Sequence, residues 1–166
     1  MKHYISALVE NKAGVLARIS GLFARRGFNI DSLAVGETND PAVSRVTIVV
    51  DGDDYISGQV TKQLSKLVDV RKVKLLDPDN MVQRDLLLIK IKVDPQRRVE
   101  INDLAKVMDF EIVDSSSTTL VIEYNDRTSK VDQLIDLLSK YEIIEIVQTG
   151  TIALQKGENT VYDEEE

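Results

Sequence analysis

Apolar and polar positions along this chain alternate between two periods, and each change of period marks an element. Tyr4–Glu10 is dense in Ile, Leu and Val and reads as a strand. After the turn Asn11-Lys12-Ala13-Gly14, apolar residues recur at Val15, Ile19, Leu22 and Phe23, the i, i+4, i+7, i+8 stripe of an amphipathic helix. Gly27 suits the left-handed position that ends such a helix. Phe28–Val35 and the β-branched run Ser44–Val50 read as strands separated by Asn39-Asp40-Pro41. Ile56, Val60, Leu64 and Leu67 predict a helix over 55–67, and Val70–Leu76 a further strand.

The order strand-helix-strand-strand-helix-strand is then repeated. Leu76-Asp77-Pro78-Asp79-Asn80 breaks the pattern. Arg84–Val93 reads as a strand. Gln96–Met108 reads as a helix whose apolar positions are Val99, Leu104 and Val107. Phe110–Asp114 and Thr118–Tyr124 read as strands around Ser115–Ser117. Arg127–Lys140 reads as a helix carrying Val131, Leu134, Ile135 and Leu138, and Ile143–Val147 and Thr151–Leu154 close the chain as strands. The expected fold class is α+β: two ferredoxin-like βαββαβ domains in tandem, each an antiparallel sheet with both helices on one face. The boundaries expected are a domain at 1–76, a linker at 77–83, a second domain at 84–157 and a disordered acidic tail at 158–166. The helix-free face of the first sheet needs a cover, and dimerisation is a common one.

Composition narrows the chemistry. Of 166 residues 43% are apolar and 5% aromatic, so Leu, Ile and Val must fill the cores. The absence of cysteine excludes disulfides, thiolate metal sites and cysteine nucleophiles. The one histidine, His3, reads as a solvated side chain near the terminus. Residues 1–76 hold 11 Lys and Arg against 8 Asp and Glu, and residues 77–166 hold 10 against 20. That balance argues against nucleic acid as a partner. With no long apolar run, no membrane partner is expected, and a cytoplasmic location is. Asp51-Gly52-Asp53-Asp54 lacks the spacing of a calcium loop and reads as a turn. Ser115–Ser117 has no histidine base at hand. No glycine-rich phosphate loop is present, and no catalytic or metal-ligating set emerges.

One stretch does carry binding chemistry. The Asn11–Gly14 turn leaves backbone N–H groups open at a helix N-terminus, which suits a carboxylate. Asn11 and Asn29 both donate and accept, as a zwitterion requires. Val15, Leu16 and Ile30 offer an apolar wall. The corresponding turn of the second half, Asp94-Pro95-Gln96-Arg97, has no glycine. A plainer reading of the same residues is that Asn11 caps the helix, Gly14 shapes the turn and Asn29 satisfies local backbone.

The stretch ENKAGVLARISGLFARRGFNIDSL also resembles a known family. Its Asn11, Gly14, Leu16, Arg18, Leu22, Phe23, Arg25-Arg26-Gly27-Phe28-Asn29-Ile30-Asp31-Ser32-Leu33 run is similar to the ACT domain of the small, regulatory subunit of acetolactate synthase. Ser44–Ile48, Gln63–Val70, Arg84–Lys90, Ile112–Asp114 and Thr149–Leu154 extend the resemblance over residues 1–157. Gln148, Asn125-Asp126 and Lys156-Gly157 depart from the family's usual residues. The resemblance implies a non-catalytic subunit that forms a homodimer through its ACT domains and activates a large catalytic subunit. It implies feedback inhibition by valine in branched-chain amino acid biosynthesis. Asn11, Ala13, Gly14, Val15 and Leu16 of one chain, with Asn29 and Ile30 of the other, would hold the effector. No cofactor is expected on this chain, since thiamine diphosphate, Mg²⁺ and FAD belong to the catalytic subunit. A free-standing amino-acid sensor and a small ferredoxin-like enzyme are the alternative readings.

Overall fold

The computed structural model describes residues 1–163, which divide into two compact units. The first contains residues 1–82 and the segment from Thr151 onward. The second is Gln83–Gly150.

In the first unit β1 (Lys2–Glu10), α1 (Val15–Arg26), β2 (Ile30–Glu37), β3 (Val43–Asp51), α2 (Asp54–Ser65) and β4 (Val70–Leu76) follow in the expected order. The antiparallel sheet runs β2-β3-β1-β4. Strand periodicity decides what faces the helices. Ile5, Ala7 and Val9 of β1 join Val46, Ile48 and Val50 of β3 and the α1 stripe Val15, Ile19, Leu22 and Phe23 in one buried cluster, with Val60 and Leu64 of α2. Gly27 has φ 68° and closes α1, its N–H reaching Ala24 O and that of Phe28 reaching Phe23 O. Asp53 accepts the Ile56 N–H at 2.9 Å and caps α2, which is what the acidic turn does here. His3, expected in solvent, is buried on β1, where β-pairing sets its ring Nε2 3.1 Å from Gly52 O.

The segment after Gly150 departs from the sequence reading. The second domain was expected to run to residue 157 and a disordered tail to follow, yet residues from Thr151 belong to the first unit. Thr151 N–H donates to Ser32 Oγ (2.8 Å), and the Ala153 carbonyl accepts from Arg45 Nη2 (2.9 Å). β9 (Ile152–Gln155) pairs with β5 (Met81–Lys92), which begins in this unit. Ala153 packs with Tyr4, Val49, Leu76 and Met81, and Val161 with Leu8 and Val43. The Thr160 carbonyl accepts from Lys74 Nζ at 2.6 Å. This strap therefore covers part of the helix-free face with the chain's own residues. Residues 164–166 of the expected tail lie outside the described residues.

The second unit contains the rest of β5, then α3 (Arg98–Met108), β6 (Glu111–Ser115), β7 (Thr119–Asp126), α4 (Thr128–Leu138) and β8 (Glu142–Gln148). Its strands run β6-β7-β5-β8, again antiparallel. Leu87, Ile89 and Ile91 pack with Ile122, Val131, Leu134 and Leu138. Both units thus have the expected α+β, ferredoxin-like build. α3 differs in its face: Ile101 is its fully buried residue, backed by Leu104, Ala105 and Met108, whereas Val99 and Val107 are 64% and 81% exposed. The i, i+3, i+4, i+7 set begins at Ile101, two residues beyond Val99.

Candidate functional site

The turn between β1 and α1 is fixed from three directions. Glu10 N–H donates to Asp69 O and Asn11 N–H to Ala42 O, both at 2.8 Å. The Asn11 side-chain amide donates to Pro41 O at 2.8 Å. Asn11 therefore does not cap α1 but ties this turn to the β2–β3 connection. The residue at the cap is Gly14, at φ 87°, a left-handed conformation that costs other residues of order 1–2 kcal/mol. A Cβ there would also stand 3.1 Å from the Arg18 guanidinium, which lies across the turn. The first bond of the helix runs from Arg18 N–H to Gly14 O, so the N–H groups of Val15, Leu16 and Ala17 have no acceptor within α1.

Charge at this end is biased positive. The first turn of α1 contains no acidic residue. Asp69, buried below it, receives Lys12 Nζ at 3.1 Å and Arg18 Nε at 2.5 Å. Lys12 first and Arg18 second hold its carboxyl below the usual range, against the opposing effect of burial. Glu10 makes a two-pronged pair with Arg71 at 2.8 and 2.9 Å, which holds its carboxyl low as well. Two cations flank the helix start against one buried anion.

Beside the turn lies a cavity of about 130 Å³. Val9, Val15, Leu16, Ile19, Val35 and Val46 form its apolar walls, and Glu10, Asn11, Lys12 and Ser44 its polar rim. At about 30 Å³ per water it has room for roughly four. A small aliphatic side chain matches that volume, with a carboxylate left for the helix start and the cations. The lining includes no histidine; His3 lies at the far end of β1.

The structure brings Asn11, Val15 and Leu16 together around this cavity, with Gly14 at the helix entry; exposed Ala13 lies in the turn but not on the wall. Asn29 and Ile30 are elsewhere. They follow the opposite end of α1, which at 12 residues is about 18 Å long. Asn29 is exposed, while Ile30 pairs with Val50 and packs against the core. Neither lines the cavity of its own chain. Sequence reasoning missed Lys12 and Val35, although β2 periodicity could have placed Val35 beside the helix. Asp69 had no local signal, because its role depends on a pairing across about 50 residues of sequence.

Comparison with known proteins assigns the family. Residues 5–72 match the model of the AHAS small subunit-like ACT domain, and residues 84–157 that of the small subunit of acetolactate synthase. The chain belongs to the acetolactate synthase small-subunit family. It is 47% identical over 157 residues to a probable acetolactate synthase small subunit of Archaeoglobus fulgidus, covering 95% of this chain and 98% of that one. It is 44% identical over 155 residues to the small subunit of Mycolicibacterium smegmatis, covering 93% and 91%. The crystal structure of the Thermotoga maritima small subunit superimposes with a TM-score of 0.89 at 41% identity, covering 96% of this chain and 99% of that one. A small subunit is the regulatory, ACT-domain partner rather than the catalytic one. Among the described residues no group of three metal-ligating side chains could hold an ion, and no helix is long and apolar enough to cross a membrane.

Proposed function

We propose that this small subunit binds valine between two ACT domains and thereby sets the activity of a large catalytic subunit. Without valine it activates that subunit, and with valine it holds it inactive. Thiamine diphosphate, Mg²⁺ and FAD reside on the catalytic subunit, and the work takes place in the cytoplasm.

The observation that carries this reading is the half-built cavity beside an open helix N-terminus. Its apolar walls suit an isopropyl group, and the free N–H groups of α1, with Lys12 and Arg18, can donate to a carboxylate. At about 130 Å³ it is smaller than the 300 Å³ or more of typical complete small-molecule sites, as expected of half a pocket. Asn29 and Ile30 fit only as the contribution of a second copy, since α1 separates them from Asn11 in one chain. A ligand shared by two copies favours whichever arrangement it binds better, which is how it shifts the catalytic partner.

Calorimetry of valine binding to the full chain tests this. Gly14→Asp places a carboxylate where the ligand's would lie, and Asn29→His alters the opposite wall. Each should weaken valine binding at least about tenfold, or about 1.4 kcal/mol. Asn29 is exposed, so Asn29→His should leave the melting temperature unchanged. Unchanged affinity in both variants would remove the site from these residues.

A further inference from the structure

We infer that the groove between α3 and α4 is a docking site for a cationic amphipathic helix of another protein. The groove has a volume of about 470 Å³ and lies wholly within the second unit. Its floor is Leu104, Val107 and Leu137, and its acidic rim is Glu100, Asp103 and Asp136. Val107 is 81% exposed, and Leu137 is 40% exposed on the facing helix. Leu104 also backs the core that Ile101, Leu134 and Leu138 fill, whereas Val107 and Leu137 are not part of it.

Charge selects the occupant. Glu100 is engaged within the unit: Tyr141 donates its hydroxyl to it at 2.6 Å, and Arg97 and Lys140 stand 3.6 and 3.7 Å away. The same two cations lie over the Tyr141 ring, 4.4 and 5.3 Å from its centroid. The cations at that end of the groove are therefore committed. Asp103 and Asp136 make no ion pair among the described residues, and both flank the apolar floor. What remains available is apolar in the middle and negative at the sides. The unit as a whole carries 9 Lys and Arg against 13 Asp and Glu.

A helix fits this shape, because side-chain ridges of a third helix seat between two parallel rows of side chains. Glu100 to Val107 spans about 10 Å, or two turns. The matching segment presents Leu-type residues at i, i+3 and i+7 to Leu104, Val107 and Leu137, with Lys or Arg on its flanks toward Asp103 and Asp136. A second copy is a poor occupant, since its own groove would bring a second pair of unpaired carboxylates against the first.

The test uses a labelled model peptide about three turns long, with Leu at the apolar positions and Lys on the flanks, and a twin with Glu for Lys. Both are titrated with the full chain by fluorescence anisotropy. The Lys peptide should bind at least about tenfold more tightly than the Glu peptide, and Val107→Glu should abolish binding. Asp103→Lys with Asp136→Lys should invert the preference between the peptides. All three substitutions are at the groove surface, and an unchanged melting temperature confirms folding. Equal binding of the two peptides, or binding unaffected by the variants, overturns the proposal. So does self-association of the chain that Val107→Glu abolishes while peptide binding persists, since the occupant would then be a second copy.

Discussion

Asp69 shows how much a single side chain here depends on distant partners. It sits buried beneath the helix start and joins Lys12 of the turn to Arg18 of α1. Its carboxyl titrates below the ordinary value of about 3.9. A depressed folded pKa contributes stability above the unfolded value and loses it as pH falls through the folded one. Thermal melts from neutral to strongly acid pH should therefore show a stability loss beginning near pH 4, which Asp69→Asn flattens. An equally steep loss in that variant would contradict the assignment; Glu10→Gln, which breaks the Arg71 pair, should act in the same direction. Gly14 makes the complementary case in backbone terms. Gly14→Ala should cost about 1–2 kcal/mol in chemical denaturation, since both the left-handed φ of 87° and the Arg18 guanidinium oppose a Cβ. A neutral result would show that the turn relaxes.

At the level of elements, most of the fold was legible because local period and turn chemistry agreed. The α1 stripe Val15, Ile19, Leu22 and Phe23 is buried as the spacing dictates, and Gly27 ends the helix. α3 was misread because Val99 and Val107 are apolar and in phase with each other, yet tertiary packing selected the adjacent face with Ile101. The strap was legible only as the strand Thr151–Leu154, which forms as Ile152–Gln155, and not in where it packs. From residue 158 its acidic, turn-rich composition resembles a solvated tail, yet pairing to β5, hydrogen bonds with Ser32, Arg45 and Lys74 and the packing of Ala153 and Val161 hold the segment. Val161→Ala should cost about 1–2 kcal/mol by removing two methyl groups from the Leu8–Val43 contact. Ending the chain at Gly157 should lower the melting temperature further. If truncation leaves it unchanged, the strap adds no stability.

On the scale of the whole molecule, the two units repeat one topology but present different chemistry. The first has a glycine at its helix entry, flanking cations and a small apolar cavity. The second has Arg97 at the corresponding cap and an acidic groove on its helical face. Half of the candidate site, Asn11 to Leu16, was legible from the turn and stripe. Asn29 and Ile30 were also read from their side-chain chemistry, but they follow the other end of α1 and line no cavity of their own chain; their placement in a second copy entered only through family resemblance. The proposed two-copy arrangement implies that Asn29→His in one copy disables a pocket completed by Gly14 of the other. Mixed dimers of the Asn29→His and Gly14→Asp chains would then retain one intact pocket of two.

The most direct measurement is a titration of the large catalytic subunit's acetolactate synthase activity with this chain, in the absence and presence of valine. Activity should rise to a plateau as the chain is added and fall when valine follows. Asn29→His should give the same rise without the fall. A large subunit indifferent to this chain, or one that valine inhibits equally with the Asn29→His variant, would contradict the account.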